Sequence, residues 1–574
     1  MNVLIIDGYI DEPACFGVSP YFSPYPRYIA GALIEKKFLE KEIFYVTIDE
    51  IRQSNIYENI IKNVDIIIII SGVTVPGKYY HANPITIDEI NSIFNISNGI
   101  KILGGPIIFG YSLYGGSNAV DLKKIINVDI SKIIIAKKDI ECLIYDTIEN
   151  NKENFIKNIE KYEHRFRKNE EIKRWSEKGS FIVKKHPKYP YIICEIETYR
   201  GCTRKKKCSF CTEIFYGIPQ FRNIKDVINE IQKLYLNGIL YFRIGGQADL
   251  FAYHGIDSGE EVLKPNVIFI NKLYKGIREV APSLKMLHMD NVNPLTILKY
   301  PEESKEIIKS IIKYHTSGDV IALGIESVDP NVIRMNNLKV NEEEAFKVIS
   351  LINEIGSKKG ENGMPEILPG LNFIYGLKGE TRDTFKKNYD FLLNIVKNNL
   401  LLRRINIRRV MTFSKTDMKN NIQSNYPYLK LFQYYKKKTR INIDYPILKK
   451  IFPKGSILKS LFIEYNDYKN KITFCRQFGT YPILVGVPKK FDIRNKFIDI
   501  CVTDYGYRSL TGIPYPIDIN NENIDLIKKI PYMNKLIINN IIKYRPFQDI
   551  DDFKKKISVV NDNFMKYIYI KKIK

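Results

Sequence analysis

The chain alternates between short, continuous apolar runs and longer stretches whose apolar residues recur at helical spacing. From Met1 to about Glu160 the runs are NVLIID, NVDIIIIIS, KILGGP and KIIIAKK, separated by amphipathic segments such as Tyr28 to Lys41. Strands that are apolar on both faces and alternate with helices predict a parallel sheet covered on both sides. The first loop, DGYIDEPACFGVSPYFSPYPRY, is long and turn-rich, which predicts a binding surface at the carboxyl end of the first strand. The next segment, HRFRKNEEIKRWSEKGSFIVKKHPKYP, is charged and weakly periodic, so residues 161–188 are expected to be a linker. Residues 189–440 resume the alternation in YIICEIET, LYFRIGG, LKMLHMD, VIALGIES, LNFIYG and INIRRV, each joined by helical sequence. That rhythm predicts a partial or full β/α barrel with chemistry at the carboxyl ends of its strands. Residues 455–518 hold short strands without intervening helices, LFIEY, ITFCRQFGTYPILVGV and FIDICVTDYGYRSLTGI, the pattern of a small antiparallel barrel. Residues 521–574 read as helical.

Length and charge narrow this picture. A chain of 574 residues divides into about three or four domains. The formal charge of +24 raises the local concentration of phosphates and favours a polyanionic partner, nucleic acid first; an AT-rich genome would also enrich lysine. The run Ile66 to Ile70 falls far below the roughly 20 residues that cross a bilayer, and the N-terminal run lacks a cleavage site. No membrane association and a cytoplasmic location are expected. Eight cysteines in a long chain of this kind point to metal or catalytic use of any cluster, not to a disulfide scaffold.

Three of those cysteines fall within GCTRKKKCSFC, Gly201 to Cys211. Cys202, Cys208 and Cys211 follow the first barrel strand, in a loop at the catalytic face. Three thiolates can hold three irons of a 4Fe-4S cluster and leave the fourth open; structural zinc would need a fourth ligand. Cys194 is close in sequence, but its place within YIICEIET suits packing. Lys205, Lys206 and Lys207 are expected to face solvent or an anionic substrate.

The run ETYRGCTRKKKCSFCTE, with Phe210 before the last cysteine, resembles the signature of the radical SAM superfamily, although the first interval is two residues longer than usual. Gly245, Gly246 and Gln247 resemble its GGE motif, with Gln247 in place of the acid. GIESVDP, with Glu326 and Ser327, resembles the fourth-strand motif, and NFIYGLKGET, with Asn372 and Gly376, the fifth-strand segment. The resemblance implies a 4Fe-4S cluster held by the three cysteines, S-adenosylmethionine bound by these seven residues, and an electron donor such as ferredoxin or flavodoxin. His288, Asp290 and Asn291, in LHMDNVNP, are expected to project toward the mouth for substrate orientation or proton transfer, or else to form a capped turn from Asp290.

The flanking modules extend the resemblance. The N-terminal, Rossmann-like sheet resembles cobalamin-binding domains, but no D-x-H-x-x-G occurs, so cobalamin is not expected; GGP at Gly104 to Pro106 reads as a tight turn. Only Cys15 and Cys142 lie in this domain, short of the three extra cysteines of methylthiotransferases. RQFGTYPILVGV through VTDYGYRSLTG resembles a TRAM-like barrel, with Arg476, Tyr507 and Arg508 as nucleic-acid contacts or as ordinary strand residues. The tail resembles a helix-hairpin-helix in which Tyr532 and Asn534 replace two glycines; Asn534 is expected to take the left-handed turn, and Lys535, Lys543 and Arg545 to contact phosphate. This order resembles an archaeal radical SAM group. The fold class expected is thus α/β, a radical SAM β/α barrel flanked by a Rossmann-like sheet, a small β barrel and a helical hairpin. The function implied is radical modification of a C–H position on RNA, tRNA in the first place; a protein or small-metabolite substrate and a zinc RNA-binding protein are the alternatives.

Overall fold

The computed structural model describes the chain except residues 11–20, 73–81, 113–115, 127–132, 150–151, 419–425, 493–495, 558–561 and 572–574. Most of the turn-rich first loop therefore lies outside the described residues. Five N-terminal strands form one parallel sheet in the order Ile43–Thr47, Val3–Asp7, Ile66–Ile70, Ile100–Gly104, Ile133–Ile135. Ile66 to Ile70 are all fully buried, because this central strand has helices against both faces. At the carboxyl end of the neighbouring strand Ile100–Gly104, an added Cβ on Gly104 would lie 2.6 Å from the Ile140 side chain. The Gly104–Gly105–Pro106 turn is thus a close approach of backbone to helix.

The central region forms two four-stranded parallel sheets. One runs Tyr21–Phe22, Ile193–Glu197, Tyr241–Gly245, Met286–Met289, and the other Asn291–Val292, Asp319–Glu326, Ile367–Tyr375, Arg404–Arg409. They meet at Asp290, between Met289 and Asn291. Alternation along each strand sends Cys194, Ile196, Phe242, Ile244, Leu323, Ile325, Ile405 and Ile407 into the apolar core. Glu195, Glu197, Arg243, Asp290, Asn372, Arg404, Asn406 and Arg408 hold the alternate positions and form a polar inner face. The strand Tyr21–Phe22 comes from the N-terminal region and pairs with Ile193–Cys194; two residues are too few to carry a periodic signal.

The segment expected to be a linker is ordered. It holds the helix Asn169–Lys178, whose Trp175 is fully buried against Tyr28, Ala32 and Cys142. An added Cβ on Gly31 would lie 2.0 Å from the Trp175 carbonyl oxygen, so this helix and Pro24–Glu35 pack backbone to backbone.

Five strands close a small barrel in the order Ile457–Asp467, Ile472–Arg476, Leu484–Val487, Ser509–Pro514, Phe497–Tyr505. The tail helices Ile524–Ile527, Lys535–Tyr544 and Ile550–Lys556 pack Ile527, Ile541 and Phe553, with Phe547 from the connection between the last two, against Cys501 and Ile513 of that barrel. The turn differs from expectation: Tyr532 takes the left-handed conformation at φ 68°. Asn534 is extended and caps the next helix by accepting the Ile537 N–H. Capping needs an extended residue at that position, which moves the left-handed residue upstream. Among the described residues no helix is long and apolar enough to cross a membrane.

Buried His315 joins two strands of the barrel, its Nδ1 3.1 Å from Asp319 Oδ2 and its Nε2 3.3 Å from Glu366 Oε2. Burial opposes its charge, but these two carboxylates outweigh that and raise its pKa above 6.5. A raised folded-state pKa gives stability that is complete below the unfolded value and lost as pH rises through the folded one. Urea midpoints should therefore fall from about pH 6.5 upward, and His315→Gln should flatten that slope; an unchanged slope would remove His315 as the cause.

Candidate functional site

Cys202, Cys208 and Cys211 lie where the chain leaves the strand Ile193–Glu197. The two extra residues of their loop have a structural use. Arg204 is buried and donates to the Asn337 and Leu338 carbonyls, to Glu261 Oε1, and to Cys208 Sγ at 3.3 Å. It fastens the loop to the segment after the fourth main barrel strand. Lys207 folds back onto the Cys202 and Arg204 carbonyls, whereas Lys205 and Lys206 are exposed. Of the three lysines, two face solvent as expected and one braces the loop.

The thiols share one electrostatic neighbourhood. Burial raises the Cys202 and Cys211 pKa values, and Cys208 adds to both. Lys339 lowers those of Cys202 and Cys211. Burial alone would depress the Lys339 ammonium, but Cys208, Glu326 and Cys211 outweigh it and hold it charged. Its Nζ donates to the Gly324 carbonyl at 2.9 Å and stands 3.5 Å from Glu326 Oε1.

Glu326 is the residue most marked by the fold. It is buried, sits at φ 67° where the strand register shifts beside Ile367–Tyr375, and among the described residues its Oε2 has no hydrogen-bond partner. Burial raises its pKa against the opposing charges of Lys339 and Arg408. A carboxylate held in a strained conformation with one orphaned oxygen is a site prepared for a donor from outside the chain.

Gly246 follows Tyr241–Gly245 at φ 78°, and an added Cβ would meet only Glu197 side-chain atoms, none nearer than 3.5 Å. Its backbone therefore packs at ordinary contact on Glu197, and it is the positive φ that calls for glycine here. Gln247 is buried and turns inward, its Oε1 accepting from Thr198 and its Nε2 donating to the Ile244 carbonyl. Asn372 Oδ1 accepts from Asn406 at 3.0 Å on the polar inner face. The Gly376 N–H donates to Glu380 Oε2 at 2.7 Å, and burial pushes that carboxyl up to about 7.

Three expected positions are placed differently. His288 Nδ1 accepts the Thr480 N–H at 3.1 Å while Nε2 pairs with the Thr316 carbonyl at 3.0 Å. Nδ1 thus joins the barrel to the C-terminal domain and Nε2 ties the strand to the neighbouring turn of the barrel itself, and burial lowers its pKa. Ser327 Oγ donates to Asn388 and accepts the Asp329 N–H, which caps a packing contact. Arg476 is buried and paired with Glu464 at 3.3 Å, so it is no surface contact, whereas Tyr507 is 63% exposed. Asp290 does lie on the inner face, paired with Arg243 and accepting from Tyr481 Oη at 3.3 Å.

Tyr481 belongs to a feature that sequence reading missed. The loop between Ile472–Arg476 and Leu484–Val487 inserts into the central barrel. Tyr21 Oη donates to the Thr480 carbonyl at 2.9 Å, Thr480 Oγ1 donates to the Met289 carbonyl, and Phe478 stacks on Tyr241 at 4.0 Å. The Arg404 guanidinium lies 4.0 Å from the Tyr481 ring centre. The small barrel thereby supplies an end wall to the polar face. Arg167 was also missed: fully buried, it donates to both Glu197 oxygens at 2.7 Å and to Glu141. Arg200, two residues before Cys202, clamps Asp139 with two bonds of 2.7 Å. These ion pairs hold the N-terminal domain to the start of the cysteine loop.

Among the described residues no group of three or more His, Cys, Asp or Glu, the three loop thiols included, is gathered closely enough to hold a metal ion. Cys194 is fully buried in the core with its thiol pushed up to about 12 by burial, so it offers no fourth zinc ligand. Three thiols from one loop, each for a separate iron, fit a 4Fe-4S cluster.

Residues 196–392 match the model of the Radical SAM superfamily. An uncharacterised protein of Methanocaldococcus jannaschii is 46% identical over 516 residues, covering 88% of this chain and 92% of that one. A tRNA-2-methylthio-N(6)-dimethylallyladenosine synthase of Rickettsia canadensis is 23% identical over 205 residues, 35% of this chain and 40% of that one. The ribosomal protein uS12 methylthiotransferase RimO of Clostridioides difficile is 25% identical over 214 residues, 36% and 42%. Among solved structures, the methyltransferase TsrM of Kitasatospora setae with cobalamin and a [4Fe-4S] cluster bound is 13% identical, with a TM-score of 0.45 and coverage of 73% and 77%. So slight a likeness decides nothing for this chain, and the expectation that cobalamin is absent gains no support. With its loop of three thiols after the first main barrel strand and its match over the barrel, this chain belongs to the radical SAM superfamily of enzymes.

Proposed function

We propose that this enzyme cleaves S-adenosylmethionine reductively to modify a C–H position on RNA. The observation that carries the cofactor assignment is the loop of three thiols within electrostatic range of Lys339, which itself stands 3.5 Å from buried Glu326, at the carboxyl ends of the barrel strands. Cys202, Cys208 and Cys211 would hold the cluster, which supplies one electron to break the sulfonium bond and so yields a carbon radical for hydrogen abstraction. Glu326 would accept a hydrogen bond from the bound nucleotide or its amino group, the Gly246 backbone would lie along the methionine moiety, and Lys339 would offset the charge of the thiolates. The end wall at Tyr481 would keep water from the reacting carbon. Ferredoxin or flavodoxin would supply the electron.

RNA as substrate draws support from the charge of +24, from exposed Tyr507 and Arg508 on the small barrel, and from the relative named for a tRNA nucleoside. A protein side chain is the second reading, favoured by the relative named for a ribosomal protein. Anaerobic reconstitution followed by 5′-deoxyadenosine assay tests the cofactor reading. Nucleoside mass spectrometry of RNA from cells with and without the gene tests the substrate, and an unchanged nucleoside profile rejects RNA.

Glu326→Gln should leave the melting transition in place, because it removes a buried and only partly compensated charge. It should weaken S-adenosylmethionine binding roughly tenfold, about 1.4 kcal/mol, in equilibrium dialysis with the reconstituted protein. Wild-type affinity in this variant would show that Glu326 does not meet the nucleotide.

A further inference from the structure

Basic residues from three separate segments meet on one side of the barrel. The helix Leu429–Thr439 carries LKLFQYYKKKT and leads directly into Arg440. It buries Phe432 and Thr439, leaving Lys436, Lys437 and Tyr434 exposed, Tyr434 at 56%. Arg440 donates to the Ile405 carbonyl at 3.0 Å, which ties the helix end to the last barrel strand. The turn between Phe497–Tyr505 and Ser509–Pro514 brings exposed Tyr507 and Arg508 alongside, with Tyr507 6.0 Å from Tyr445 and Lys449 4.2 Å from the Tyr445 ring. Besides burial, the charges of Arg440, Arg508 and Arg408 lower the pKa of Lys436. Arg408 in turn stands near enough to Glu326 to act on its carboxyl.

A lysine run on one helix is ordinarily a solvated face. Here the fold brings cations from the helix and its continuation, the last barrel strand and the small barrel within electrostatic range of one another. Arg440 is paired with Asp444, and Asp504 of the small barrel pairs with Lys454 at 3.5 Å. This face combines cations with exposed tyrosines, which suits a backbone of phosphates with bases able to stack.

We propose that Lys436, Lys437, Tyr434, Tyr507 and Arg508 form a track that binds an RNA strand and leads it toward the polar inner face at Arg408. This rests on the reading of RNA as substrate and names the surface that receives it; the tail, where Lys535 and Lys543 stand, is not that surface. The exposed tyrosines stack bases and the cations pair phosphates.

The test is fluorescence anisotropy of full-length protein with end-labelled bulk tRNA at several salt concentrations, with circular dichroism to confirm folding. K436E/R508E should lose at least tenfold in affinity and show a shallower salt dependence. Tyr507→Ala should lose about fivefold with the salt slope kept, since stacking releases no counterions. K535E/K543E should bind within about twofold of wild type. Wild-type affinity in K436E/R508E, or a larger loss in K535E/K543E, would overturn the track while leaving RNA as substrate. Displacement of the tRNA by polyglutamate as readily as by unlabelled tRNA would also overturn it. Absence of salt-dependent tRNA binding by the wild type would remove both the track and the RNA reading.

Discussion

Cys208→Ala is expected to leave the reconstituted protein without a stable cluster and without 5′-deoxyadenosine formation. Cys208 is the thiol whose charge bears on both Cys202 and Cys211, and it is held by Arg204 from within the loop and by the Asn337 carbonyl from outside it. With one of three ligands gone, iron should fall from about four per chain to under one. Cys194→Ala is the matched control: its thiol is fully buried in the core, so the loss is one small apolar group, about 1 kcal/mol of stability. That variant should keep its iron. Equal loss of iron in both would mean that a fourth thiol ligates, which would restore the zinc reading and end the catalytic one. Iron, sulfide and zinc analysis of the two purified proteins decides the matter.

The second large effect concerns stability. Arg167→Ala removes the only guanidinium described as bonded to both Glu141 and Glu197, each buried. Breaking a buried pair by removing one partner strands the other charge, at a cost of about 3–5 kcal/mol. The urea midpoint of the first unfolding transition should drop accordingly, and the cysteine loop should become sensitive to protease, because Arg200 and Glu197 brace its start. Combining Arg167→Met with Glu141→Gln and Glu197→Gln should recover part of the loss, since no carboxylate is then left unpaired. A single variant that unfolds with the wild type would show that water reaches this cluster.

Much of the candidate site was legible because its residues are close in sequence. Cys202, Cys208 and Cys211 share one loop, and Gly245 to Gln247 and Glu326 each mark a strand end whose period is plain. Lys339 was not legible: it is one of many lysines, and only the bulge at Glu326 and the turn before Asn341 bring it beneath the thiols. His288 was read in the right strand with the wrong surroundings, because the groups that occupy its ring come from Thr316 and Thr480. For Arg476 both a nucleic-acid contact and an ordinary strand position stay open in the sequence, because a strand's alternation says which residues share a face, not which face is covered; the structure places it as a buried strand residue.

The sequence by itself determined what local patterning can encode: the parallel N-terminal sheet, the β/α repeat of the barrel, the separate small barrel and the loop of three thiols. Its periods of two and of about three and a half residues are short-range signals. The tertiary structure alone decided the contacts between distant segments. It put the strand Tyr21–Phe22 into the barrel sheet, the helix Asn169–Lys178 into the core, the Tyr481 loop into the barrel lumen, and Lys436 beside Arg508. These partners lie tens to hundreds of residues apart, and their pairing depends on which faces remain to be buried once each domain has formed.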